Sequence, residues 1–143
     1  MKITKSAVAL VALLSLNACV TSGHDESASD TALAGSEWIV DDIAGQGLIE
    51  DTQATLSFGN DGRVSGDTSC NRYFAEYTVS ETELRFQNAG VTKRACAPAV
   101  MEQESRFLAI FNAVDSYRID DRAHTLVLST PTGATITARH PNR

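Results

Sequence analysis

From residue 35 onward, apolar and polar side chains alternate in short runs separated by turn residues. Ala54, Leu56 and Phe58 are interleaved with Thr55 and Ser57, while Tyr73, Ala75, Tyr77 and Val79 alternate with Arg72, Phe74, Glu76 and Thr78. A period of two marks a strand with one face buried. Gly59-Asn60-Asp61-Gly62 reads as a tight turn, because these residue types tolerate positive φ, and Arg63 to Asp67 returns as the hairpin partner. Leu84 and Phe86 mark the next short strand. The first strand leaves its register open: either Trp38 and Val40 or Ile39 and Ile43 supply its buried face.

After Pro98 the period changes. Val100, Met101, Phe107, Leu108, Phe111 and Val114 form one helical face, with Glu102 and Arg106 four apart on the other. Pro98 suits the first turn of that helix, where a missing N–H costs nothing. Strand patterning resumes at Tyr117 and Ile119, turns at Asp120 to Ala123, and continues through Leu126 and Leu128. A second turn at Thr130 to Gly133 leads to Ile136 and Ala138. The pattern predicts an α+β, mostly β domain over residues 35–143. Its architecture is a small curled antiparallel sheet or incomplete barrel of seven to eight strands, with one helix packed against it. Closure or coverage protects the sheet edges from aggregation.

The beginning of the chain follows different rules. Lys2 and Lys5 precede an almost unbroken apolar run from Ser6 to Leu16. As a helix that run spans about 16 Å, roughly half the bilayer core, which fits the core of a signal peptide and is too short for a membrane span. Leu16-Asn17-Ala18-Cys19 reads as a bacterial lipoprotein box, with residues 1–18 removed and Cys19 carrying lipid. Acyl chains contribute on the order of 0.8 kcal/mol per buried methylene, so two or more hold a protein firmly to a membrane. Val20 at the next position, in place of Asp, resembles the enterobacterial sorting pattern, which implies the outer membrane, facing the periplasm. Residues 19–34 are small, polar and mildly acidic, as expected of the lipidated Cys and a flexible tether.

Charge and cysteines narrow the picture. The chain has 12 Lys and Arg against 18 Asp and Glu, a net charge of −6, and loss of Lys2 and Lys5 with the leader makes it −8. So acidic a chain is a poor binder of nucleic acid, where affinity comes mostly from neutralising phosphates. Of 3 cysteines, assigning Cys19 to lipid leaves Cys70 and Cys96 as an even pair in an oxidising compartment, predicted to be bridged. The alternative of a nucleophilic Cys70 or Cys96 lacks a C-x-x-C and a His close in sequence.

Several runs together resemble the META-domain, or HslJ-like, family of bacterial envelope lipoproteins. They are Gly35-Ser36-Glu37-Trp38, Thr55 to Gly59 leading into Asp61 to Gly66, Cys70-Asn71-Arg72-Tyr73, Thr92 to Cys96, and Met101 to Glu104 before Phe107-Leu108. The densest element joins Phe58, Gly59, Asp61, Gly62, Gly66, Cys70 and Asn71 at set spacing. Two departures stand out: Thr68-Ser69 where a Gly nearer the cysteine is expected, and Arg94 where Met is common. The resemblance implies a compact barrel-like domain, anchored in the envelope, non-enzymatic, and associated with stress tolerance and antibiotic resistance.

Taken residue by residue, the same motif reads as structural. Gly59, Gly62 and Gly66 allow turns and close approach. Asn71 can bond neighbouring main chain beside the bridge. Trp38, the only Trp, is expected in the core with its N–H satisfied at the rim. Candidate chemistry is sparse. His124 sits at a turn, His140 near the end of the chain, and neither has a nucleophile-elbow sequence to serve. Metal-ligand spacings do not occur, and Asp120 with Asp121 and His24 with Asp25 and Glu26 are better explained as turn and linker residues. The expectation is a monomeric, non-catalytic envelope protein without cofactor or metal. It would dock an envelope protein, peptide or lipid at the barrel mouth or an edge strand. The alternative is a periplasmic inhibitor of a lysozyme or protease, steered to basic targets by its acidity.

Overall fold

A computed structural model of the protein describes residues 32–141. The leader, Cys19 and most of the tether lie outside the described residues. Nine strands form in chain order: β1 (Glu37–Ile43), β2 (Gln46–Gly47), β3 (Thr55–Phe58), β4 (Arg63–Asp67), β5 (Arg72–Ser80), β6 (Glu83–Val91), β7 (Ser116–Asp120), β8 (Thr125–Ser129) and β9 (Thr135–Arg139). One helix, α1 (Pro98–Phe111), separates β6 from β7. Neighbouring strands pair antiparallel, and β9 returns to β1, so eight strands close a barrel while β2 hangs outside it on β1. Closure at β1–β9 completes what the pattern predicted as a curled sheet or incomplete barrel.

The barrel is not equally tight all round. β5 and β6 pair over most of their lengths, whereas β6 and β7 share a single ladder position, Glu83 opposite Ser116, flanked by Leu84 N–H to the Asp115 carbonyl and Tyr117 N–H to the Thr82 carbonyl. The connection from β6 to β7 carries α1. Phe107 and Phe111 are fully buried, and the Phe111 ring stacks on Phe86 of β6 at 3.9 Å and 9°. Tyr73 meets both helix rings, at 5.5 Å and 5.0 Å between centroids, and Phe58 packs between Tyr77 and Phe86. The barrel interior is thus filled by aromatic side chains from three strands and the helix. Such rings bury large apolar area and add edge-to-face contacts beyond it.

The open register of β1 has a structural cause. Its burial follows Trp38 and Val40 and then shifts to Ile43, because the ladder with β9 slips between Val40 and Asp42. A bulge of this kind adds a residue and moves the inward face by one position. Trp38 and Val40 therefore supply the buried face before the bulge and Ile43 after it, while Ile39 is only half-buried.

Two local expectations give way. Met101, assigned to the apolar helix face, is 43% exposed, while Gln103 is buried along with Phe107, Ile110 and Phe111. Leu33, within the stretch read as tether, is fully buried in the core, just ahead of the turn where Ser36 N–H bonds the Leu33 carbonyl at 3.0 Å. A lone leucine after a polar stretch carries no periodic signal, yet its side chain joins the hydrophobic core cluster. Among the described residues, no helix is long and apolar enough to cross a membrane.

Candidate functional site

The densest polar cluster sits where α1 meets the β4–β5 turn. Cys70 and Cys96 are bridged, with 6.0 Å between Cα atoms, joining that turn to the segment that leads into the helix. The turn closes through Thr68 N–H to the Asn71 carbonyl at 2.8 Å, with Asn71 N–H returning to Thr68 Oγ1 at 3.0 Å. Glu104, on the second turn of α1, reaches across to this turn. Its Oε2 accepts from Asn71 N–H at 3.0 Å and from the Thr68 hydroxyl, and its Oε1 accepts from Asn71 Nδ2 at 3.0 Å. On the other side, Asn71 Oδ1 accepts from Arg94 N–H at 2.7 Å and from the Thr92 hydroxyl at 3.0 Å.

Gln103, one residue earlier, does the same for a different loop. Its Oε1 accepts from Ile49 N–H at 2.8 Å, and its Nε2 donates to Thr52 Oγ1 at 3.0 Å and Ser69 Oγ at 2.7 Å. One helical turn thereby holds the β2–β3 loop and the β4–β5 turn, and Asn71 of that turn holds the pre-helix segment. Four polar side chains are buried among the described residues, and three of them, Thr68, Asn71 and Gln103, belong to this cluster. Buried polar groups are stable only when bonded, and these have their donors and acceptors committed to main chain or to one another.

The motif residues take structural places around this cluster. Trp38 is 5% exposed and donates Nε1–H to Ser36 Oγ at 2.8 Å, with its ring edge-on to His140 at 5.7 Å. Asp61 Oδ1 accepts from Arg63 N–H at 3.2 Å, and Gly62 takes φ +76 in the same turn. The Gly59 carbonyl accepts from Tyr77 O–H at 2.7 Å, and the Thr55 carbonyl accepts from Tyr73 O–H at 2.8 Å. Burial, reinforced by the Asp67 carboxylate, holds the Tyr73 phenol well above its ordinary value. Tyr77 is raised for the same reason, with Asp61 the lesser cause. Gly66 is required by contact: a Cβ there would lie 2.0 Å from the Thr55 carbonyl oxygen. Asp120 Oδ1 accepts from the N–H groups of Ala123 and Arg122, which hold its carboxyl below the usual range.

The two departures noted in the motif now have explanations. Ser69 adopts φ +87, the left-handed region where a glycine is unstrained, and its hydroxyl receives the Gln103 amide in exchange. Arg94 serves the cluster through its main-chain N–H and carbonyl, so the identity of its side chain is free to vary. Gln103, Glu104, Thr68 and Thr92 were not legible as site residues, although Met101 to Glu104 was part of the family pattern. A Gln on the buried stripe of a helix, four before Phe107, is the signal that marks it in retrospect.

Several grooves open on the surface, and two bear on function. One, of about 680 Å³, runs between β1, β9 and the β2–β3 loop, with Asp41, Glu50 and Asp51 against Arg139, whose Nε bonds Asp41 at 3.0 Å. The other, of about 440 Å³, lies on the outer face of β4, β5 and β6. Among the described residues, no group of three or more His, Cys, Asp or Glu converges as a metal site.

Residues 31–142 match the META domain family model. No curated protein matches the chain. Three solved structures share its fold. A protein from Burkholderia xenovorans, determined by NMR, superposes with a TM-score of 0.68 at 23% identity, over 81% of this chain and 88% of that one. A second NMR structure gives 0.60 at 24% identity, over 76% and 91% of the two chains. The crystal structure of a DUF4847-family protein from Bacteroides vulgatus gives 0.60 at 14% identity, over 80% and 99%. At these identities the likeness concerns the fold.

Proposed function

The chain belongs to the META-domain family, and from that premise we propose that it is a non-catalytic binding module, held by a lipid on Cys19 to the outer membrane and facing the periplasm. Its task is to dock an envelope component during stress or antibiotic challenge. The observation that carries this reading is the commitment of the Glu104–Asn71–Gln103 cluster. One carboxylate and two amides, each committed to hydrogen bonds, hold three loops together, leaving the surface grooves as the places for a ligand. A rigid scaffold presenting grooves, tethered by a flexible polar segment, suits recognition at a membrane surface.

The test has two arms. Radiolabelled palmitate should enter the wild-type chain and not Cys19→Ala, and absence of label from the wild type would overturn the anchor. A photocrosslinker placed at Ile49, on the rim of the larger groove, should capture one specific envelope component in cells under stress. Capture of nothing above an unmodified control would overturn docking there. The second reading, inhibition of a basic hydrolase, is favoured by Asp41, Glu50 and Asp51 around that groove. It requires salt-sensitive inhibition of a cationic lysozyme by the purified protein.

A further inference from the structure

Four of the five phenylalanines, at positions 58, 86, 107 and 111, pack with the barrel aromatics. The fifth does not. Phe74 lies on the outward face of β5 and is 63% exposed. It stands opposite Ser65 on β4 and Gly90 on β6, and its ring lies over the glycine: a Cβ at Gly90 would fall 2.3 Å from the ring. A glycine inside a strand costs stability, and an exposed phenyl ring contributes little of its apolar area to folding. Gly90 and Phe74 together build a flat aromatic plate against the sheet, with open solvent beyond it.

The strands shape the space beside that plate. Opposite Ala75, β6 carries an extra residue, since Phe74 pairs with Gly90 but Glu76 with Gln87. At this bulge Asn88 adopts φ +53 and donates Nδ2–H to Glu76 Oε2 at 2.8 Å. Bulges re-aim side chains and recur beside binding sites. Across β4, Arg63 pairs with Glu76 in register and lines the same groove with Ser65. The result is a groove of about 440 Å³ with one aromatic wall and a rim of guanidinium, carboxylate, amide and hydroxyl groups.

We propose that this outer face of β4–β5–β6 is a saccharide-binding subsite, in which the Phe74 ring stacks on the C–H face of a pyranose and Arg63, Ser65, Glu76 and Asn88 bond its hydroxyls. The chemistry favours a sugar over other occupants. Arg63, paired with Asp61 at 4.0 Å, and Glu76 put both signs of charge on the rim, so the groove offers no uniform field to an ionic ligand. Vicinal hydroxyls both donate and accept, as this rim does. Strand addition by a peptide is blocked, because at this level β5 is paired on both sides, with β4 and β6. An acyl chain would offer no hydrogen-bond partner to the polar groups that line the groove. The volume falls within the roughly 300–1,000 Å³ of small-ligand sites. The proposal rests on the binding-module reading and supplies it with a ligand class.

The experiment is an NMR titration of the full-length, isotopically labelled chain in a non-glycosidic detergent, with chitotetraose in one arm and cellotetraose in the other. Shifts confined to Arg63–Ser65, Phe74–Glu76 and Asn88–Gly90 with either sugar support the subsite, and the better arm shows whether an N-acetyl group is read. Phe74→Ala should weaken binding roughly tenfold, the loss expected when one stacked ring is removed. Asn88→Gly tolerates the positive φ, so it keeps the bulge while deleting the amide, and it should weaken binding with an unchanged amide spectrum elsewhere. If Phe74 served only to cover Gly90, Phe74→Ala would lower stability and leave the titration intact, overturning the proposal. Absence of shifts with both sugars, or shifts centred on the β2–β3 loop, would overturn it too, the latter leaving the binding-module reading standing. Appearance of cleaved sugar at these shifts would keep the subsite and overturn the non-catalytic reading.

Discussion

Glu104 and Asn71, 33 residues apart in the chain, are joined through both carboxylate oxygens: Asn71 N–H to Oε2 and Asn71 Nδ2–H to Oε1, each at 3.0 Å. The pairing converts a helix residue and a turn residue into one rigid unit beside the Cys70–Cys96 bridge. A carboxylate accepting several N–H donors away from water is among the stronger hydrogen-bond arrangements. It is also the arrangement most damaged by deletion.

Glu104→Ala removes the carboxylate shared by both Asn71 donors and the Thr68 hydroxyl, leaving Asn71 Nδ2–H only the longer bond to the Arg94 carbonyl at 3.4 Å. The expected cost is about 2–3 kcal/mol in urea unfolding, because half-buried hydrogen bonds to a charged acceptor are lost. Glu104→Gln keeps one oxygen in place and should cost less than alanine. Equal stability of both variants with wild type would show that the cluster contributes nothing to folding.

Gln103→Met removes the amide and keeps the length. Ile49 N–H then loses its acceptor, and Thr52 and Ser69 lose their donor. Hydrogen exchange at Ile49 should accelerate strongly, while amides in β8 and β9 keep their protection, since local opening follows local bonding. Uniform acceleration across the barrel would instead point to a global loss.

The disulfide spans a sequence separation of 26. For a loop of that length the chain-entropy model gives about 3.5 kcal/mol. Cys70→Ser with Cys96→Ser should lose stability of that order, a large share of the roughly 5–15 kcal/mol typical of single domains. Intact mass of the wild type should fall two hydrogens below the dithiol value, and two readily alkylated thiols in the native protein would contradict the bridge.

Two backbone positions make opposite demands. Gly66→Ala drives a Cβ into the Thr55 carbonyl that Tyr73 uses, and should cost about 1–3 kcal/mol through displaced main chain. At Ser69, with φ +87, alanine keeps the strain and loses the bond to Gln103, whereas glycine relieves the strain. Thermal midpoints should therefore rank Ser69→Gly above Ser69→Ala.

Tyr73 and Tyr77 are both raised from an ordinary value of 10.0 by burial, with Asp67 and Asp61 respectively adding to it. A group with a raised folded value stabilises the fold fully below its unfolded value and loses that contribution as pH climbs toward the folded one. Stability should hold steady through neutral pH and fall above about pH 10, where unfolding lets both phenols ionise. Tyrosinate absorbance should rise together with the loss of tertiary signal. Ionisation of all three tyrosines near the ordinary value in a still-folded protein would show that these two are not held.

Much of the fold was readable because strand burial leaves a local trace. The alternation around Tyr73, Ala75 and Tyr77, the turn at Gly59 to Gly62 and the closing strand at Ile136 and Ala138 each state their burial within a few residues. Even the ambiguity of β1 was informative, since Trp38 and Ile43 belong to two phases separated by a bulge. The site was far less readable. Met101 looks buried and Gln103 exposed by hydropathy, yet Gln103 is the one that loops 54, 51 and 34 residues away bind.

Composition and spacing were enough for the β-rich class, for the pairing of Cys70 with Cys96, read from parity, and for the places where the chain turns. These depend on side-chain polarity and φ preference within short windows, which any stretch carries with it. Closure of β9 on β1, the packing of Phe107 and Phe111 of α1 against Tyr73 and Phe86, the meeting of Glu104 with Asn71 and the exposure of Phe74 over Gly90 were settled by folding. Those outcomes depend on which distant surfaces arrive at the same place, and distance along a chain holds no record of that.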